Sequence, residues 1–362
     1  MPEQVMHRVA GYERRFNTLF EEYFDTLGTR LDVPPFSRFT PDCLGLLRDV
    51  CLRGGKRFRA VLVNEAARLV VDEPVEGLDA AALSLELLHV SGLIHDDVID
   101  DGPVRRGGPS TYYAYRSRFP DHPRAAVGLT VLAGDLALAL SLQVLLEAKV
   151  PAEVRQAMTE VHTRAAADTF MGQIIDVERD FMTRLDEDVL HCVADYKGAR
   201  YSILAPVQLG LLAAGEQPSR FDKELRDYAR LVGIGETMRD DYLDLFGDAA
   251  TVGKQAGTDI RDGKRSYTVQ ALLAAVDDAE RRVVDTALGD AACTPETLAV
   301  IREIGERRGV PGHMEAEMRR YAQQAASVAP AGGSGGGRKR SASSSSCRCG
   351  ALSEPGDQRE HR

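Results

Sequence analysis

Apolar residues recur at three- and four-residue steps over most of the chain. Between positions 80 and 101 they fall at Leu83, Leu87, Leu88, Ile94 and Val98, and similar stripes run through residues 131–146, 154–175, 203–212 and 225–246. That spacing lines one face of a 3.6-residue helix. Alternating β-branched runs bounded by turn pairs are scarce. Punctuation comes at Pro34-Pro35, Gly54-Gly55, Gly102-Pro103, Gly107-Gly108-Pro109, Gly215 and Gly247. The pattern predicts an all-α fold.

The periodicity stops near Ala329, where the chain turns to Gly and Ser with a short RKR run and almost no large apolar residue. Such a segment cannot bury enough surface to order itself. Residues 1–328 are therefore expected to form the folded domain and 329–362 a disordered tail. Residues 125–148 form the longest apolar stretch and raise the question of a membrane span. Asp135 interrupts it near the middle, and Gly128 and Gly134 suit close helix packing, so the expectation is a buried core helix without stable membrane insertion. Asp135 itself is expected to be a buried structural carboxylate.

Charge narrows the function further. The 362 residues carry 55 acidic and 45 basic side chains, a formal charge of -10, which disfavours a nucleic-acid-coating protein. Six scattered cysteines form no CxxC pair, and the first 20 residues lack an unbroken apolar run, so a reducing cytoplasm is the expected setting. No GxxxxGK[ST], GxGxxG or HExxH motif is present, and no GxSxG elbow appears between a strand and a helix.

Two acidic motifs carry the chemistry. HDDVIDDGPVRRGG contains Asp96, Asp97 and Asp100 at the end of an apolar stripe, and MRDDYLDLFGD contains Asp240, Asp241 and Asp244 at the end of another. In each, the outer acids lie four residues apart and share one helix face. Like charges so placed repel, and carboxylates are also disfavoured at a helix C-terminus. Bound cations would offset both penalties, and a carboxylate-only set suits Mg²⁺. On spacing alone, two solvated helix ends are the competing reading. Surrounding positive charge favours a site: Arg105 and Arg106 follow the first motif, GGKRFRA places Lys56 and Arg59 three apart on one face of a new helix, and Lys197, Lys254 and Lys264 lie on later segments. Acids that recruit Mg²⁺ beside several cations describe a polyanion site, with diphosphate the economical ligand.

The ordered set GGKRFRA, ELLHVSGLIHDDVIDDGPVRRGGPST, LAGD, MGQIID, KGARYS, RDDYLDLFGD and GKQAGTDIRDGKRS, spanning residues 44–273, resembles the trans-isoprenyl diphosphate synthases, the head-to-tail prenyltransferases. The resemblance implies an isoprenoid synthase-type helical bundle around a deep central cavity, homodimeric, with the motifs facing each other across its mouth. It implies Mg²⁺ at Asp96, Asp100 and Asp240, aided by Asp97, Asp241 and Asp244. It assigns Lys56, Arg59, His89 and Arg106 to isopentenyl diphosphate, Arg105, Lys197 and Lys254 to the allylic diphosphate, and Gln173 and Asp176 to a polar pair beside them. Tyr201 and Lys264 fall on matching positions with less defined roles. Gly198 stands where the family usually has Thr, and Thr237 where Gln is common.

In the family the growing chain runs down the helix bearing the first motif. Ser91 and Gly92 are small, and one turn lower come Leu87 and Leu88. Because a turn advances about 5.4 Å, close to one isoprene unit, this arrangement predicts a product longer than farnesyl, with geranylgeranyl diphosphate favoured. The alternatives are a farnesyl or longer-chain synthase, a class I terpene cyclase and a non-catalytic prenyltransferase subunit. A second DDxxD, the GGKRFRA pocket and 6% aromatic residues without Trp argue against the cyclase. Retention of both acids and cations argues against the silent subunit.

Overall fold

The computed structural model describes residues 3–182, 185–247 and 257–328. The tail beyond 328 lies outside them. The first helices are α1 (Glu3–Arg30), α2 (Phe39–Leu52), α3 (Phe58–Arg68), α4 (Leu78–Ile99) and α5 (Thr111–Arg118). Next come α6 (Pro123–Leu146), α7 (Ala152–Arg179) and α8 (Glu187–Val193). The α8 helix runs without a break through a π-helical segment (Ala194–Leu204) into α9 (Ala205–Ala213). After a short 3-10 turn (Pro218–Phe221), α10 (Asp222–Phe246) carries the second acidic motif. The described residues end with α11 (Thr258–Arg261), α12 (Tyr267–Ala275), α13 (Asp278–Ala287), α14 (Pro295–Arg307) and α15 (Val310–Val328). The apolar residues of each long stripe lie on helix, those of 203–212 spanning the junction of the π-helical segment and α9.

Among the described residues the exception to all-helical structure is a hairpin of two-residue strands, β1 (Val104–Arg105) with β2 (Gly108–Pro109), paired antiparallel. Its turn residues Arg106 and Gly107 have φ of 52° and 73°, the double left-handed conformation that suits tight hairpins. This turn folds the two arginines after the first motif back toward the bundle.

Local sequence sets the helix starts. Ser110, Ser266 and Thr294 each accept a backbone N–H three residues on, and Asp277 with Glu280 forms a capping box. The α1 helix buries Phe16, Phe20, Tyr23, Phe24 and Leu27 on one face, against Leu83, Leu87, Val90 and Ile94 of α4 and Leu140 and Val144 of α6. A second core joins Leu190 and Ala194 to Ile234 and Met238 of α10, Tyr267 and Leu272 of α12, and Met314 and Tyr321 of α15.

Close helix crossings depend on glycine. A Cβ on Gly210 of α9 would lie 2.3 Å from the Val63 carbonyl oxygen of α3. One on Gly172 of α7 would lie 2.2 Å from the Lys197 amide nitrogen. Backbone cannot yield to either, so these crossings admit no larger residue.

The α6 helix departs from the sequence expectation. Its buried face consists largely of small residues, including Ala126, Ala133, Gly134, Ala137 and Ser141, whereas Val131, Leu132 and Leu146 are exposed. Asp135 is on the exposed side, more than half accessible, with its carboxylate 3.4 Å from His95 Nε2. It is not the buried carboxylate anticipated, because α6 turns its narrow small-residue face to α4. It is the one described helix long and apolar enough to cross a membrane, and 44% of its apolar window is buried inside the protein.

Candidate active site

The first acidic motif closes α4, and each of its acids meets a different cation. Asp97 is 1% exposed and its Oδ1 accepts from Arg105 at 2.9 and 2.5 Å, while Oδ2 is buried without a hydrogen-bond partner among the described residues. Burial raises the Asp97 pKa, and Arg105 opposes the rise. Asp96 Oδ1 accepts from Lys197 Nζ at 3.2 Å, and Asp100 Oδ2 from Lys264 Nζ at 2.8 Å.

Lys197 projects from the π-helical segment. It also donates to Asp176 of α7 at 2.6 Å, whose other oxygen lies 2.9 Å from Arg179. Burial alone would lower the Lys197 pKa, but Asp96 and Asp176 outweigh it and hold the ammonium charged. Burial would raise the Asp176 pKa, and Lys197 and Arg179 reverse that. The result is a continuous charge relay, Arg179 to Asp176 to Lys197 to Asp96. Gln173 stands three residues before Asp176 on α7, partly exposed.

The second motif closes α10 and anchors the segments after it. Asp241 Oδ2 accepts the Tyr267 N–H at 2.8 Å, at the first turn of α12. Asp244, 1% exposed, accepts the Asp259 N–H at 3.0 Å in α11 and is an interior anchor. Burial, reinforced by Asp259, pushes the Asp241 pKa well above the usual range even though the Tyr267 N–H opposes it. Asp240 is exposed at the surface of the same turn.

A basic cluster lies deeper along α4. Lys56 does not share a helix face with Arg59, because α3 starts only at Phe58, and Arg57 at its N-cap is left-handed with φ of 44°. Lys56 instead precedes the helix on the Gly54-Gly55 loop. The guanidinium of Arg59 donates to Tyr201 Oη at 3.0 Å and Ser202 Oγ at 2.9 Å, and faces Glu86 at 3.5 Å. His89 Nδ1 is 3.1 Å from the same Tyr201 hydroxyl, with the two rings stacked. Burial and the neighbouring Arg59, Arg106, Arg105 and Arg57 push the His89 pKa well below its ordinary value, so its imidazole is neutral. Arg106 donates to the Val50 carbonyl at 3.3 Å and its guanidinium sits 3.6 Å from the position of a Cβ on Gly55. Glu236 of α10 lies within electrostatic reach of Asp240, Arg59 and Lys56, so the basic cluster is next to the second motif's helix.

Along α4, Gly92 and Leu88 lie below Asp96 at successive four-residue steps. A Cβ on Gly92 would meet nothing within 4 Å, whereas Leu88 is 2% exposed. Leu87 does not line this side. It packs with the aromatic core of α1, because it lies about 100° around the helix from Leu88. Ser91 is fully buried and its hydroxyl has no hydrogen-bond partner among the described residues. Lys254 lies outside the described residues. Gly198 and Thr237, the two departures from the family pattern, face each other: a Cβ on Gly198 would be 4.0 Å from Thr237 Oγ1.

Sequence reasoning missed Glu86, Arg57 and Arg179. Glu86 and Arg57 are each 1% exposed and 3.3 Å apart. Their signal was a lone acid inside an apolar stripe and an arginine in a Gly-rich turn. Among the described residues no three His, Cys, Asp or Glu side chains converge closely enough to hold a metal. Lysine ammonium groups contact Asp96 and Asp100. The donor set nonetheless fits a hard divalent cation. Its candidate donors are all carboxylates, one oxygen of Asp97 is buried without a partner among the described residues, and the high Asp241 pKa is what a nearby cation would reverse.

The helical bundle, its two acid-tipped helices and the basic cluster along α4 are the features that the resemblance to prenyl-transferring enzymes implies. The polyprenyl synthetase family model matches residues 41–304. The chain is 32% identical over 244 residues to the farnesyl diphosphate synthase of Escherichia coli, covering 65% of this chain and 77% of that one. It is 30% identical over 253 residues to the geranylgeranyl diphosphate synthase of Sulfolobus acidocaldarius, covering 68% and 71%. Among solved structures, geranylgeranyl pyrophosphate synthase from Corynebacterium glutamicum, complexed with isoprenyl diphosphate and magnesium, superposes with a TM-score of 0.79 at 27% identity, covering 88% of this chain and 92% of that one. The chain belongs to the polyprenyl synthetase family. It is a prenyltransferase with that family's all-α fold.

Proposed function

We propose that this chain condenses isopentenyl diphosphate head to tail with an allylic prenyl diphosphate, using Mg²⁺, and that geranylgeranyl diphosphate is its main product. The observation that carries the reading is the placement of Lys197 and Lys264 on Asp96 and Asp100, with the Arg59, Arg106 and His89 cluster further down α4. The site thus has two differently built anion-binding regions.

Asp96, Asp100 and Asp240 would hold the metal, which supplies positive charge to the leaving diphosphate. Lys197, Lys264 and Arg105 stabilise the same developing charge as the allylic C–O bond breaks and its electron pair departs with the diphosphate. Lys254 is assigned to this group, Asp176 holds Lys197 from α7, and Gln173 lines the same site. Lys56, Arg59 and Arg106 hold isopentenyl diphosphate, whose double bond attacks the allylic carbon to form the new C–C bond. A proton then leaves the former isopentenyl C2 for the departed diphosphate. Neutral His89, bound to Tyr201, adds a polar contact without placing another charge beside the carbocation. No side-chain nucleophile is required.

Open space at Gly92 supports a chain that passes this turn of α4, with Leu88 as the floor below. Exposed Val131 and Leu132 of α6 with Met171, Ile174 and Val177 of α7 support association into a homodimer. Free described cysteines fit the cytoplasm as its setting. The test is incubation of purified protein with farnesyl diphosphate, isopentenyl diphosphate and Mg²⁺. A C20 diphosphate is expected. A cyclic hydrocarbon or no product would overturn the reading, and a different chain length would overturn only the product.

A further inference from the structure

The last described helix, α15, lies far from the acidic motifs in sequence, yet one of its side chains connects the elements that support them. Tyr321 of α15 is 5% exposed. Its hydroxyl lies 2.9 Å from His191 Nε2 on α8, and the two rings meet edge to face at 5.9 Å. His191 in turn lies against Tyr267, with ring centroids 5.9 Å apart. The Tyr267 backbone N–H is the group that holds Asp241. Tyr321 also packs on the motif-bearing helix directly: a Cβ on Gly235 of α10 would sit 3.8 Å from its Cβ. Finally, α8 continues into the π-helical segment that carries Lys197.

Tyr321 therefore touches α10 five residues before Asp240, reaches the α12 terminus that grips Asp241 through His191, and braces the helix leading to Lys197. Burial lowers the His191 pKa, so a neutral ring shares the hydrogen bond. The Glu187 carboxylate lies 3.6 Å from its Nε2. The aromatic rings alone would fill this core. The hydrogen bond between Tyr321 and His191 adds a fixed orientation, which packing does not supply.

We propose that Tyr321 and His191 are positioning residues that set the second acidic motif for cation binding. The inference rests on the proposed function for its link to catalysis, but it concerns the geometry of the Asp241 support.

Tyr321→Phe removes one hydroxyl and keeps the ring. It is compared with His191→Leu, which removes the partner, and His191→Gln, which retains hydrogen-bonding capacity. The Mg²⁺ concentration at half-maximal condensation is expected to rise about threefold in Tyr321→Phe and His191→Leu, the worth of one ordinary hydrogen bond, and to be largely restored in His191→Gln. The KM for isopentenyl diphosphate is expected to stay at the wild-type value. A second readout needs no turnover: the Mg²⁺-dependent rise in melting midpoint with inorganic diphosphate, expected to need correspondingly more Mg²⁺ in the same two variants. Unchanged Mg²⁺ dependence in both readouts overturns the proposal, including when melting temperature falls, since that outcome assigns the contact to packing alone. Failure of the wild type to form a prenyl product would instead overturn the proposed function, while the diphosphate melts still decide this inference.

Discussion

Lys264 and Asp100 are 164 residues apart in the chain, and their side chains meet at 2.8 Å. The segment just after the second acidic motif thereby rests on a carboxylate of the first. Burial alone would lower the Lys264 pKa, and Asp100 more than compensates, so the bridge is an ion pair. It joins two helix ends that the chain itself connects only over a long path.

Replacing Lys264 by Ala is expected to lower kcat on the order of a hundredfold, the scale of losing one preorganised charge-stabilising donor. Lys264→Arg should retain most of the rate, because the charge survives. Steady-state kinetics with isopentenyl diphosphate varied should show its KM unaffected.

Product length is expected to respond to the Gly92 face of α4. Gly92→Phe fills the open space one turn below Asp96 and should shift the product toward shorter chains, while Leu88→Ala lowers the floor by a turn of about 5.4 Å and should lengthen it. Ser91 is enclosed on all sides, so Ser91→Phe should lower the melting midpoint by overpacking before it affects product length. Chromatography of dephosphorylated products distinguishes these outcomes.

Glu86 should be a stability determinant as well as a support for Arg59. With both partners 1% exposed, Glu86→Gln strands the Arg57 charge in the interior and is expected to cost about 3 kcal/mol. Urea unfolding measures that loss, and a raised KM for isopentenyl diphosphate would report the loosened Arg59.

A pH-dependent loss of stability is expected from a residue outside the site. Burial pushes the His162 pKa down to about 4; Nε2 lies 2.9 Å from Ser141 Oγ, and Nδ1 has no partner among the described residues. The unfolded chain, with an ordinary histidine pKa near 6.5, binds the proton more readily. The folded state is therefore favoured most above pH 6.5, and up to about 3 kcal/mol is lost as pH falls from there toward 4. Urea midpoints at pH 7 and 4.5 should differ more for wild type than for His162→Gln; equal differences would reject the assignment.

The chemistry was more legible than the packing. Paired carboxylates and nearby cations announce themselves in sequence because their penalties are local, and Asp96, Asp100, Lys197 and Arg59 all lie on or against α4 and the π-helical segment. Glycines 172 and 210 were silent, since their need for a missing Cβ arises from helices that approach from distant parts of the chain. Asp135 was misplaced for a related reason. An apolar run gives no sign of which face its neighbour prefers, and α4 selected the small residues of α6. Leu87 failed as a cavity residue because two adjacent leucines were read together although the helix turns them apart.

The π-helical stretch has a further implication for how this chain tolerates length changes. Wide turns store extra backbone within an otherwise continuous rod from α8 to α9. Deleting one residue between Lys197 and Leu204 would be taken up as those wide turns tighten toward ordinary helix, leaving Lys197 and Gly210 near their present bearings. The same deletion between Pro206 and Gly210, where the helix is already tight, would turn Gly210 about 100° relative to Lys197 and break either its seat on α3 or the lysine's contact with Asp96. A single-codon excision should therefore be far better tolerated in the π-helical stretch than a few residues further on.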